Sequence, residues 1–163
     1  MSEVLLYFKE SAQVAYGGEE QELFPEKDLV RAQFVVELNE RLGYPLSSIH
    51  IGALVWVEGA GFEQIDVVVG SEMGDIMIAA AVESPKEYES RQEQVMRGLY
   101  WKAAVLARAK RVRWLVYYTR WYHIGVLYKR QLVVDYAKYP NYAAWQTASF
   151  PSAGVLPVHS PDA

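Results

Sequence analysis

The stretch GFEQIDVVVGSEMGDIMIAAAVESPKEYE, residues 61–89, decides the fold expected for this chain. Apolar residues occupy every second position over 64–69, with the period of two that is typical of a half-buried strand. A turn with glycine at both ends, over 70–74, separates this strand from the nearly continuous apolar run of residues 75–83. That run predicts a central strand that is covered on both faces of the sheet.

Each of these two predicted strands carries an acidic residue, Asp66 in the first and Glu83 at the end of the second. Pro85 lacks a backbone donor and ends regular strand pairing just beyond Glu83. Two carboxylates at adjoining strand ends are the minimum for binding a hard cation such as Mg²⁺. The alternative is that Asp66 caps a turn and Glu83 is a solvated strand end, because most acidic side chains lie at the surface.

Residues 24–43 predict the clearest helix, with Pro25 in its first turn and Gly43 as its C-terminal cap. Its apolar residues recur at every fourth position and form a narrow stripe that faces the core: Val30, Phe34, Leu38 and Leu42. Glu37 lies at the edge of that stripe. It is therefore either a surface glutamate or a third carboxylate directed at the sheet.

Further elements are expected on both sides of this unit. Residues 48–57 predict the first strand, and residues 87–110 predict a second long helix. Three more strands are expected at 112–119, 123–128 and 131–136, the last two joined at Lys129–Arg130. The expected fold class is α/β, with a mixed central sheet flanked by helices.

The composition bounds the number of domains and the cellular location. The 163 residues suffice for one domain with a substantial core, expected over 24–139, after a lead-in segment (1–23) and before a loosely ordered tail (140–163). The absence of cysteine excludes disulfides, thiolate metal sites and a cysteine nucleophile. There is no signal-peptide pattern and no apolar run of about 18 residues. A cytoplasmic location without a membrane segment is expected.

The net charge of −4 conceals an uneven distribution along the chain. Residues 1–96 contain 18 acidic and 6 basic residues, whereas residues 97–163 contain 2 acidic and 10 basic residues. The basic half either marks a face that binds phosphates or neutralises the acidic half, within the fold or across a dimer. Aromatic residues interleaved with these bases over 114–128 suit either base stacking or a core or dimer surface.

Several well-known catalytic patterns are missing. The chain has no GxxxxGK or GxGxxG phosphate-binding loop and no GxSxG nucleophile elbow. Its three histidines are far apart, and none has a metal-ligand companion at helical or turn spacing.

In its motifs and in the order of its elements, the chain resembles the N-terminal domain of type I restriction enzyme R subunits, within the PD-(D/E)XK nuclease superfamily. FPEKDLVRAQFVVELNERLGYP (24–45) is similar to the opening helix of that family. QIDVVV (64–69) is similar to its Asp-bearing strand, and IAAAVESPK (78–86) to the strand usually written V-E-C-K-A-P. RQEQVMRGLY (91–100) and WLVYYTR (114–120) are similar to the helix and strand that follow.

The resemblance covers residues 24–136 and implies a restriction-endonuclease-like core. It also implies Mg²⁺-dependent hydrolysis of DNA, with Mg²⁺ or Mn²⁺ held by Asp66 and Glu83 and with Glu37 completing the metal shell. The family has a lysine two residues beyond the glutamate, but here Pro85 stands at that position and Lys86 follows. On a regular strand this shift turns the lysine to the opposite face. Lys86 therefore either swings into the site, because Pro85 breaks the strand, or lies outside it.

The helix after the acidic strands carries the side chains expected to contact DNA: Gln94, Arg97 and Lys102. A solvated helix surface is the alternative for Gln94. Because the motor of a full R subunit is absent, we expect a stand-alone domain, with restriction-system subunits as partners. Three functions stay open: an active nuclease, a degenerate and dimeric member that binds DNA or protein without cleavage, and a structural dimer that binds no nucleic acid.

Overall fold

The computed structural model describes residues 25–160, so the expected lead-in segment over 1–23 lies outside the described residues. The helices are α1 (Glu26–Val36), α2 (Gln92–Leu106) and α3 (Tyr142–Thr147). The strands are β1 (Ile49–Val57), β2 (Gly61–Gly70), β3 (Ile76–Val82), β4 (Val112–His123) and β5 (Val126–Asp135). The protein therefore has a mixed α/β fold, as the sequence predicts. None of the described helices is long and apolar enough to cross a membrane.

The five strands form one sheet in the order β1-β2-β3-β4-β5. Neighbouring strands are antiparallel except β3 and β4, which are parallel because α2 crosses between them. β3 lies at the centre, and every residue in it except Met77 is buried. Cover on both faces explains the continuous apolar run of β3 and confirms the prediction of a central strand.

Helices cover the sheet from its two faces. The predicted stripe begins in α1 and continues into the turn after it: Val30, Phe34 and Leu38 are fully buried against one face, and Leu42 is partly buried. On the other face α2 buries Met96 and Leu99. The first turns of α1 and α2 lie near each other, because Lys27 and Gln94 line the same cleft.

The strands β2 and β3 separate near one end of the sheet. Their pairing runs only from Gly70 to Val67 on β2. Close to this point β1 contains Gly52, whose φ of +68° lies in the left-handed region that favours glycine. Ile51 and Ala53, on either side of it, pack against opposite faces of the sheet. This sharp twist carries the β1–β2 ribbon away from β3 and leaves an opening.

One hairpin replaces the three strands expected after residue 112. β4 runs on to His123 and β5 begins at Val126, so the turn lies at Ile124–Gly125. Both turn residues have positive φ, as in the type I′ turns that fit the twist of a hairpin. The predicted turn at Lys129–Arg130 is wrong, because both residues continue the β4–β5 ladder.

Residues 140–160 pack onto the domain, in contrast to the loosely ordered tail that was expected over 140–163. Trp145 of α3 is fully buried, and its Nε1 donates to the carbonyl of Pro151 at 2.9 Å. Further along, the Tyr44 hydroxyl donates to the carbonyl of Pro157 at 3.0 Å. The prolines and small residues of this segment favour irregular backbone, but burial of the large indole fixes the segment in place.

Candidate functional site

A cleft of about 480 Å³ opens where β2 and β3 separate, beside α2. Its charged and amide side chains come from four parts of the chain: Lys27, Glu63, Gln64, Asp66, Arg91, Gln94 and Lys102. The cleft is thus lined by three basic side chains and two carboxylates. Of the side chains predicted to form a site, Asp66, Gln94 and Lys102 are brought together here.

Asp66 connects the separated strands. Its Oδ2 accepts a hydrogen bond from the backbone N–H of Val82 at 2.9 Å, which satisfies a β3 donor beyond the end of β2–β3 pairing. The ammonium of Lys27 lies 4.0 Å from the same oxygen. Because Val82 precedes Glu83, Asp66, where β2 stops pairing with β3, lies close in the chain fold to Glu83, which follows the end of β3.

Glu83 is buried, which excludes the alternative of a solvated strand end. Its side chain is 3% exposed. Its Oε1 accepts from Arg91 Nη1 at 2.5 Å, and its Oε2 accepts from the backbone N–H of Ser84 at 3.1 Å. Burial raises the pKa of the nearby Tyr117 hydroxyl, and the negative charge of Glu83 raises it further. The glutamate thus lies in a dry site in which an arginine neutralises it.

Glu37 is also buried, but it lies on the α1 side of the sheet. It begins a π-helical turn (Glu37–Arg41) that continues α1, and such turns redirect side chains relative to a regular helix. Its Oε1 contacts the Lys129 ammonium and accepts from Arg41 Nη1 at 3.0 Å. Burial and then the charge of Glu37 raise the pKa of Tyr118. The glutamate lines a separate cavity of about 100 Å³ and not the cleft beside Asp66.

Two other residues predicted for the site also lie elsewhere. Lys86 lines a different cleft, of about 470 Å³, together with Trp121. Arg97 places its guanidinium carbon 4.2 Å from the ring centroid of Tyr142, on the side of α2 that faces α3. The shift caused by Pro85 therefore leaves the lysine outside the cleft.

The carboxylates in this arrangement do not fit a divalent cation. Within residues 25–160, no group of three or more His, Cys, Asp or Glu side chains is placed to hold a metal ion. A guanidinium already contacts Glu83, and Glu37 packs on the opposite face of the sheet. Mg²⁺ is usually bound by one or two carboxylates with water in its remaining positions, but both oxygens of Glu83 already accept hydrogen bonds from Arg91 and Ser84.

The basic half of the chain is used mainly within the fold. Arg120 donates to Glu26 at 2.8 Å, and the Lys129 ammonium contacts Glu37. Arg130 likewise contacts the carboxylate of Glu89. Of the two interpretations of the uneven charge, internal neutralisation applies to these three cations. Lys102 differs, because its ammonium donates to the Gln64 carbonyl at 2.8 Å on the wall of the cleft.

Sequence reasoning missed Arg91 and Lys27 as components of the cleft. The available signal for Arg91 was its position immediately before α2, where the chain returns to the strand end that carries Glu83. For Lys27 the signal was its position in the first turn of α1.

A scan against protein-family models found no match, and a search of curated proteins also found none. The relation to the type I restriction R subunits therefore rests on the sequence motifs quoted above and stays a prediction.

Proposed function

We propose that this protein is a DNA-binding domain built on a restriction-endonuclease-like core, and that the cleft beside Asp66 binds the phosphate backbone. The observation that carries the proposal is the convergence of Lys27, Arg91 and Lys102 on one cleft. Phosphate contacts by basic side chains supply most of the non-specific affinity for DNA. Each of the three has a partner within the fold, which are Asp66, Glu83 and the Gln64 carbonyl, and each also lines the cleft, where a phosphate would meet all three charges.

The order of the elements supports the proposed core. A helix, a three-stranded meander, a second helix and a parallel strand follow one another in the chain. Asp66 lies on the second strand where it separates from the third, and Glu83 directly follows the third strand. In the resemblance this is the place at which the scissile phosphate would bind.

An aromatic side chain adds a second kind of contact. Trp101 lines the cleft and is 65% exposed, although a tryptophan this large is usually well buried. Exposed aromatic rings beside cations suit stacking against a base or packing against a sugar. Gln94, about two turns earlier on α2, adds an amide that can donate to a phosphate oxygen.

The test is fluorescence anisotropy of a labelled duplex, titrated with the protein in EDTA at several salt concentrations. Three phosphate contacts predict a slope of about −3 in a plot of log affinity against log salt. Lys102→Gln is expected to lower the magnitude of that slope by about 1. Lys110→Gln is the matched control, because Lys110 is exposed and lies outside the cleft. Absence of binding at low salt, in EDTA and with Mn²⁺ alike, would refute the proposal.

A second candidate is metal-dependent hydrolysis of DNA, and one observation favours it. The Asp66–Val82 hydrogen bond supports it, because it holds Asp66 against the end of β3 next to Glu83. This function needs Arg91 to leave Glu83. The two candidates are distinguished by measuring the nicking of supercoiled plasmid by the wild type and by Glu83→Gln, each with Mg²⁺ or Mn²⁺. Nicking that disappears in the variant would establish an enzyme, and its absence in both proteins would leave binding alone.

A further inference from the structure

The cation at Glu83 is an arginine of this chain. The carboxylate is 3% exposed, and a buried charge of this kind needs a close partner of opposite charge. Arg91 supplies that charge at 2.5 Å. The Ser84 N–H is the other donor to the carboxylate. Charge compensation at Glu83 is therefore complete without any added ion.

Arg91 also faces the cleft. Its side chain is 39% exposed and forms part of the cleft wall. A guanidinium has five donors in a planar fork, and the contact with Glu83 uses Nη1. The remaining donors suit bidentate recognition of a phosphate. One side chain can thus neutralise Glu83 and bind an anion at the same time.

A divalent cation and this guanidinium exclude each other. Two positive charges within about 4 Å repel strongly where water is scarce. At Glu83 the close position is already taken by Arg91 on Oε1, and Oε2 accepts from the Ser84 N–H.

We infer that Arg91 takes the place of the metal ion, so that the cleft binds a phosphodiester without any divalent cation. The inference rests on the proposed function for its ligand, and it adds that Glu83 orients Arg91 and binds no metal. It predicts DNA binding of equal affinity in EDTA and in Mn²⁺. Arg91→Met should lower that affinity about tenfold or more, because charge-assisted hydrogen bonds are lost.

The first experiment measures metal binding without DNA. Thermal unfolding of the wild type and of Glu83→Gln is followed in EDTA and in millimolar Mn²⁺. A ligand that binds only the folded state raises Tm, so we expect Mn²⁺ to leave both proteins unchanged. A rise in the wild type that Glu83→Gln lacks would overturn the inference.

The second experiment measures DNA affinity of the wild type, Arg91→Met and the matched control Arg108→Met, each in EDTA and in Mn²⁺. Arg108 is exposed and outside the cleft. Because Arg91→Met leaves a buried charge, the double variant Arg91→Met/Glu83→Gln is included as a folded reference. Equal binding by the wild type and both Arg91 variants would overturn the inference.

The two proposals fail in different ways. If the wild type binds DNA only with Mn²⁺, the DNA-binding function stands and the role of Arg91 is refuted. If the wild type binds no DNA in either condition, the proposed function and its phosphate ligand are refuted together. The unfolding experiment then decides by itself whether Arg91 occupies the metal position.

Discussion

Two buried glutamates lie on opposite faces of the same sheet, next to consecutive tyrosines of β4. Glu37 lies beside Tyr118 on the α1 side, and Glu83 lies beside Tyr117 on the α2 side. Both carboxylates are almost inaccessible to solvent, and both are paired with basic side chains. By burial and charge alone, the two sites are equivalent.

They differ in what their cations face. The partners of Glu37 are Lys129 and Arg41, and this cluster connects β5 to the end of α1 around a cavity of about 100 Å³. The partner of Glu83 forms part of the wall of a cleft of about 480 Å³ with further cations. A buried ion pair alone therefore does not mark a functional site. The distinguishing feature is that the partner of Glu83 lines a larger cleft together with Lys27 and Lys102.

The largest expected effect follows from removing a basic partner of each buried glutamate. Arg91→Met leaves Glu83 without a cation, and we expect the free energy of unfolding to fall by about 3 kcal/mol. Lys129→Met leaves Arg41 in contact with Glu37, so a loss of about 1 kcal/mol is expected. Urea unfolding measures both losses. Equal losses would mean that the two sites depend on their cations in the same way.

Neutralising the acids should separate the sites by function. Glu83→Gln keeps an oxygen that can accept from Arg91 and removes a negative charge beside the cleft, so we expect roughly fivefold tighter DNA binding, equivalent to about 1 kcal/mol. Glu37→Gln is expected to lower stability by a similar amount and to leave DNA affinity unchanged. Glu40→Gln, an exposed position on the same helical turn, is its control. Weaker DNA binding by Glu83→Gln would contradict this assignment and favour a metal site.

Alkaline pH tests the packing on the α2 side. Burial raises the pKa of Tyr88 to about 12, and its hydroxyl donates to the Tyr117 carbonyl at 3.2 Å. The neutral hydroxyl thus stabilises the fold fully below the ordinary pKa of 10.0, and this contribution is lost as the pH rises through about 12. In Tyr88→Phe, unfolding free energy should depend less steeply on pH in this window. The control is Tyr122→Phe at an exposed site. If the unfolding free energy of Tyr88→Phe depends on pH as steeply as that of the wild type and of this control, the assignment is contradicted.

The smallest expected effect concerns the displaced lysine. Lys86 lines the cleft that contains Trp121 and not the cleft beside Asp66. Lys86→Ala should therefore change DNA affinity by less than about twofold, as is usual for a distant surface charge. Fluorescence anisotropy measures the DNA affinity of this variant and of the wild type under the same conditions. A loss as large as that of Lys102→Gln would place Lys86 in the binding surface.

Much of the fold follows from local sequence. The spacing of Val30, Phe34 and Leu38 predicts the buried face of α1, and the run over 75–83 predicts the central strand. The alternation over 64–69 places Asp66 in the strand before it. Such patterns are readable because the periods of a helix and a strand are set by the backbone itself.

Local sequence patterns did not predict the position of the hairpin turn or the packing of residues 140–160. Ile124 at a positive φ is an unfavourable turn residue by local preference, and the β4–β5 ladder overrides that preference. The burial of Trp145 depends on a surface formed by α2, more than forty residues earlier in the chain. Contacts of this kind form only when distant elements come together.

The sequence by itself determined an α/β chain with two acidic residues on successive strands. Only the tertiary structure decided which cations meet the two buried glutamates: Arg91 for Glu83, and Lys129 with Arg41 for Glu37. The physical reason is that periodicity records which face of an element is buried. The charge that meets a buried carboxylate is decided by the packing of elements across the sheet, and no local pattern records it.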